Sequence, residues 1–252
     1  MKKLYALSNA LTFILAIYVN YTIGIEGFRG STIQSVSAQY STLLTPAGYA
    51  FAIWGIIYFG LIWLVIYQIN DAFFNAPPDF KVLEVGPWLT ISNICNALWV
   101  MAWLREQLLL SVFIMLLLLY CLLRIVVNTR MQLVEVPVEV KIFLHWPIAI
   151  YAGWISVAFA TNVASYAAYE WIALVWSEEV WTILVLLLVT SIFLYVVRRR
   201  SMFAFGWVGV WSLASIAVRH WNEIPVIQWM AVLGGSIIFI MIVSELLFSD
   251  RS

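Results

Sequence analysis

Apolar stretches long enough to cross about 30 Å of bilayer hydrocarbon recur along this chain, and nothing else in it restricts the fold as strongly. They predict eight helices, at about 4–24, 46–69, 86–104, 107–127, 141–165, 180–198, 201–218 and 225–248. The expected fold class is therefore all-α, a polytopic membrane helix bundle with about eight transmembrane helices. Composition agrees: at 64% hydrophobic and 10% charged residues, with a mean hydropathy of +0.97, 252 residues could not cover a soluble surface. A formal net charge of zero and the absence of a separate basic domain exclude an extended nucleic-acid surface.

Basic residues orient the bundle. With the N-terminus inside, the inner segments carry Lys2, Lys3, Lys81, Arg124, Arg130, Lys141, Arg198, Arg199, Arg200 and Arg251, and the outer ones only Arg29, Arg105 and Arg219. This asymmetry predicts that both termini are cytoplasmic. Lys2 and Lys3 before an apolar run resemble a signal peptide, but no small-residue cleavage site follows, so the first helix is read as uncleaved. Arg198–Arg200 predict a sharp hairpin between the sixth and seventh helices. Pro77-Pro78 marks an inner turn, residues 25–44 form a long outer loop of the kind that serves as a lid, and residues 168–180 lie along the outer interface, anchored by Trp171 and Trp176.

Catalytic signatures are sparse. Two histidines, His145 and His220, cannot make an HExxH zinc site, and no GxSxG, Walker A or GxGxxG run occurs. His145 reads as an interfacial hydrogen-bonding side chain rather than a haem ligand, and Cys95 and Cys121 read as small buried hydrophobes. Acidic residues fall at span ends or in loops except Glu245, which reads as snorkelling to the interface. No intramembrane carboxylate pair therefore suggests a proton pump or protease.

The informative residues are aromatic and polar groups at membrane depth. Trp88, Trp103, Trp146, Trp171, Trp176, Trp181, Trp221 and Trp229 suit interfacial belts, whereas Trp54, Trp99, Trp154 and Trp211 sit well inside their helices. A buried indole N–H needs an acceptor, so those four rings are expected to face protein or a cavity. Asn93, Asn96, Trp99 and Trp103 share one face of the third helix, and Trp154 and Asn162 one side of the fifth. Tyr49, Phe51, Trp54 and Tyr58 crowd the start of the second. Two readings stay open: these side chains glue helices together, at about 0.6–2 kcal/mol per interhelical hydrogen bond, or they line a pocket for a flat apolar ligand.

The three stretches together resemble the TspO/MBR family, the tryptophan-rich sensory proteins that include the mitochondrial translocator protein. Pro46, Tyr49, Phe51, Trp54 and Tyr58 follow the order of the family's second helix, Asn93, Asn96 and Trp99 that of its third, and Trp154, Ser156 and Asn162 that of its fifth. Ala47 stands where the family has a second proline, Phe51 and Trp54 are one residue closer than usual, and Ile150 replaces a fifth-helix proline. The likeness covers roughly residues 1–165. It implies a TspO-like five-helix ligand-binding core there, with three additional transmembrane helices over 166–252.

The resemblance further implies a sensor or receptor that binds a porphyrin or similar flat hydrophobic ligand beneath the first loop. Trp54 and Trp154 would face the tetrapyrrole, Asn93 and Asn96 would supply polar contacts, Trp99 would pack behind, and Tyr49, Phe51, Tyr58 and Asn162 would complete the site. No cofactor is required and no metal site is expected. Porphyrin breakdown is implied by the family alone, since no base or metal for it is evident. Expected partners are membrane lipid, the small hydrophobic ligand and a second copy of the chain in a homodimer, in a bacterial cell membrane. The competing reading is a transporter of a small hydrophobic or amphipathic solute.

Overall fold

The structure is a computed structural model that describes residues 1–28, 30–74, 82–170 and 177–248. Pro77-Pro78, Trp171 and Trp176, and Arg29, Lys81 and Arg251 of the charge argument, lie outside these residues. Eight long helices appear: α1 (Lys2–Val19), α2 (Ile53–Phe73), α3 (Trp88–Leu104), α4 (Leu108–Asn128), α5 (Trp146–Tyr169), α6 (Glu178–Arg200), α7 (Phe203–Arg219) and α8 (Pro225–Phe248). Among the described residues, six helical stretches are long and apolar enough to cross a membrane, and α3 and α7 are shorter apolar helices of 17 residues. Side chains such as Leu4, Leu11, Ile14, Phe59, Phe113 and Leu188 stand exposed on the outside of the bundle, a surface suited to lipid rather than water.

Helices α1, α2, α5, α4 and α3 pack in that order around a closed ring. The remaining three pack on one another, and α7 joins them to the ring along α5. Glycines permit that join. At the join, a Cβ on Gly153 of α5 would lie 3.0 Å from Val208 Cβ and 3.2 Å from the Phe205 carbonyl oxygen; within the cluster, one on Gly209 of α7 would lie 2.5 Å from Phe193 Cδ1 of α6.

The predicted hairpin after Arg200 is present. Ser201 takes a left-handed conformation (φ 50°), and α7 starts two residues later. Helix α6 suits its own dipole: Ser177 caps the Val180 N–H, Glu178 and Glu179 occupy the first turn, and Arg198–Arg200 the last. Glu245 is not simply snorkelling, because it forms an ion pair with Arg198 that ties α8 to α6. His145 stands at the N-terminus of α5. It is buried in a π-helical turn, Lys141–His145, that leads into α5.

At the other end, α1 runs on as a π-helical turn, Asn20–Ile25, into the first loop. The loop holds a lid helix, Ile33–Gln39, started by a reciprocal capping box between Thr32 and Ser35. A 3₁₀ turn, Gly48–Ala52, then leads into α2.

Replacing Gly153 by Val is expected to force α5 and α7 apart and cost about 1–3 kcal/mol. Thermal unfolding in detergent checks this. Gly55→Ala serves as the control, because a Cβ there meets nothing within 4 Å, and its midpoint is expected to hold or rise.

Candidate ligand-binding cavity

Beneath the lid helix, α2, α3, α4 and α5 enclose a cavity of about 40 Å³. Phe51, Trp54, Trp99, Trp103 and Trp154 form most of its wall, with Met115, Thr161, Asn162 and Ser165, and Ile33, Ser37, Thr45 and Pro46 close the top. The volume admits water but is far below the roughly 300–1,000 Å³ of a small-molecule site. The rings fill the remainder themselves. Phe51 meets Trp154 edge-on at 5.9 Å, Trp54 stacks on Tyr58 at 5.3 Å and meets Tyr151 edge-on at 5.8 Å, and Trp99 stacks on Trp103 at 5.7 Å.

Hydrogen bonds sort these aromatics. Trp99 Nε1 donates to Asn162 Oδ1 at 3.0 Å, and Asn162 Nδ2 donates to Ser111 Oγ at 2.9 Å, joining α3, α5 and α4. Trp103 Nε1 donates to the Ile33 carbonyl oxygen of the lid at 3.2 Å. The indole N–H groups of Trp54 and Trp154, whose side chains line the cavity, have no partner among the described residues.

The predicted residues therefore divide. Phe51, Trp54, Trp99, Trp154 and Asn162 come together at the cavity. Tyr58 stands behind Trp54 with its hydroxyl buried and unbonded. Tyr49 is half-exposed and packs edge-on against Trp211 of α7 at 5.3 Å. Asn93 and Asn96 are not among the lining residues and instead meet α1 and the π-helical turn that continues it. Asn93 Nδ2 donates to Thr12 Oγ1 at 3.3 Å and to the Asn9 carbonyl oxygen at 3.4 Å, and Asn96 Oδ1 accepts from Asn20 Nδ2 at 2.6 Å. Trp103, assigned from sequence to an interfacial belt, is buried at the cavity; its place on the Trp99 face was the available signal.

Sequence reasoning missed a buried polar tract between α1, α2 and α3. Asn9 Nδ2 donates to Gln68 Oε1 at 3.0 Å, Thr90 Oγ1 donates to Asn9 Oδ1 at 2.6 Å, and Lys2 Nζ pairs with Asp71 at 2.8 Å. The apolar run predicts a second helix ending at 69, before Asp71, but α2 continues to Phe73 and buries the Asp71 side chain. Among the described residues, no three His, Cys, Asp or Glu side chains gather as a metal site.

The lid is held from two sides. On the ring side, Ser165 Oγ donates to the Tyr40 carbonyl oxygen at 2.9 Å, and the Tyr40 hydroxyl and Gln39 Nε2 both donate to Glu106. On the other side, Glu178 Oε1 accepts from Leu43 N–H at 3.0 Å, and His220 Nε2 lies in hydrogen-bond contact, 3.0 Å, with the Leu43 carbonyl oxygen. The Ser215 carbonyl oxygen accepts from Ala47 N–H at 3.2 Å, and Trp211 Nε1 donates to the Ala50 carbonyl oxygen at 3.2 Å.

An all-helical membrane protein with an aromatic cavity closed under its first loop is the class this arrangement defines. The chain belongs to the TSPO-like protein family, whose model matches residues 6–244. The match runs through the last helices as well as the ring. Neither the curated proteins nor the solved structures compared with the chain gave a match.

Asn162→Leu is expected to strand the Trp99 N–H and cost about 1–3 kcal/mol, read as a lower unfolding midpoint, with Ser111→Ala costing less. The Tyr40 hydroxyl is pushed up to about 12, first by its hydrogen bond to Glu106 and then by burial. Its contribution to holding the lid is thus complete below the ordinary tyrosine value near 10 and lost as pH rises through about 12. Glu106→Gln is expected to lower this ionisation, seen as earlier growth of tyrosinate absorbance.

Proposed function

We propose that this protein is a membrane sensor or receptor that takes a flat hydrophobic ligand, a tetrapyrrole or a molecule of similar shape, into the aromatic cavity. The observation that carries this reading is the convergence of Phe51, Trp54, Trp99 and Trp154 beneath the lid, with the Trp54 and Trp154 donors unassigned. Conjugated ligands stack on indole faces, and their heteroatoms accept such N–H groups. The small volume means that the rings must part, and the lid above them shift, as the ligand enters.

In this reading residues 1–165 are the ligand-binding core and 166–252 an added three-helix unit, a division supported by the ring of five and the cluster of three. The added unit grips the lid through Glu178, Trp211, Ser215 and His220, so it governs how readily the cavity opens. The protein sits in a bacterial cell membrane as a homodimer with both termini cytoplasmic, has no catalytic role and needs no cofactor. The buried tract from Asn9 to Gln68 and the Lys2–Asp71 pair favour a second reading, transport of a small amphipathic solute.

Protoporphyrin titration of the detergent-purified protein tests the first reading through tryptophan fluorescence. Saturable quenching at micromolar or lower ligand is expected, weakened about tenfold or more in Trp54→Phe and Trp154→Phe. Glu178→Gln is expected to speed association. Quenching indifferent to both tryptophan substitutions, together with saturable solute flux in proteoliposomes, would favour the transporter.

A further inference from the structure

A larger cavity lies elsewhere. Between α2 and α5 of the ring and α7 of the added cluster runs a lateral groove of about 760 Å³, which shares no lining residue with the aromatic cavity. We infer that this groove is a binding site for one anionic phospholipid, with its phosphate at Lys141 and an acyl chain laid along α7 towards Trp211.

Charge and polarity vary along the groove in the way an amphipath requires. Among the described residues, Lys141 is the one charged side chain in its lining, beside Gln132 and Ser201 at the end of the bundle where α5 and α7 begin. No carboxylate among the described residues is within ion-pair distance of Lys141; Glu245, at the same end, is already paired with Arg198. Next come Trp146 and Trp207, 52% and 46% exposed, whose indole N–H groups have no partner among the described residues. Those donors suit the ester oxygens of a lipid below its phosphate.

Further along, the lining turns apolar through Val208, Ile150 and Ile53 and ends at Trp211. From Phe203 to Trp211 the helix rises about 12 Å, enough for much of one acyl chain. The Trp211 N–H is already bonded to Ala50, so the far end presents a ring face and no free donor, as a chain terminus requires. The site exists only because the added helices stand against the ring, and it does not depend on what the aromatic cavity binds.

The test uses the full chain in vesicles whose phospholipids carry brominated acyl chains, which quench tryptophan on contact. Phosphatidylglycerol is compared with phosphatidylcholine. Expected is a roughly fivefold preference for the anionic lipid, the scale of one cation near an anionic headgroup. Lys141→Gln is expected to abolish the preference, Lys141→Arg to keep it, and Trp207→Phe to remove part of the quenchable emission. Equal quenching by both lipids would overturn the inference. So would a preference that survives Lys141→Gln, which would assign it to the general basic surface around Arg198–Arg200. A quenchable component unchanged by Trp207→Phe would also overturn it, as expected if a second copy of the chain covers the groove.

Discussion

A hydrogen-bonding group inside a bilayer has no water to turn to, and the placement of the polar side chains in this bundle follows from that constraint. Asn9, Asn20, Asn93, Asn96 and Asn162 are all buried, and each spends at least one amide group on another helix or its backbone. These bonds run between α1 and α3, α1 and α2, and α3, α4 and α5, so they fix which helix faces which around the ring. Apolar packing alone would not do so, since a leucine face packs about as well against lipid as against another helix.

The same constraint separates structural from available aromatics. Trp99 and Trp103 have their N–H groups bonded to Asn162 and the lid, and they hold the cavity wall in place. Trp54 and Trp154 have no such bond, and they are held by ring contacts with Tyr58, Tyr151 and Phe51. Rings held only by packing move more readily than rings held also by a directional bond. The cavity wall is therefore part fixed by directional bonds and part held by ring packing alone.

The three helices beyond the ring do more than lengthen the bundle. They contact the segment from Leu43 to Ala50 through four hydrogen bonds, at the point where the lid gives way to α2. The close approach at Gly153 keeps α7 in register with α5, so the lid anchors and the ring behave as one packed body. The lateral groove is the other consequence of that approach. A helix cluster leaning on a ring at one seam leaves an opening beside the seam.

Much of this was legible in the sequence. Hydrophobic run length finds all eight helices, because crossing hydrocarbon sets both length and composition, but misses the start of the second, expected at 46 and found at Ile53 after the 3₁₀ turn. Helical periodicity correctly turned the Asn93–Trp103 stripe and Trp154–Asn162 inward, since an amide cannot face lipid. Periodicity says which face is buried but not against what. Asn93 and Asn96 share a face with Trp99, yet α1 claims the first two and the cavity the third. Tyr49 has the spacing of a pocket residue, but the 3₁₀ turn before α2 points it at Trp211. The lid anchors, the Asp71–Lys2 pair and the lateral groove join residues separated by tens to well over a hundred positions, and only the tertiary packing decides such meetings. The sequence by itself determined the solvent of each segment, because that depends on local composition; the tertiary structure decided the partner of each polar group, because that depends on which helices stand side by side.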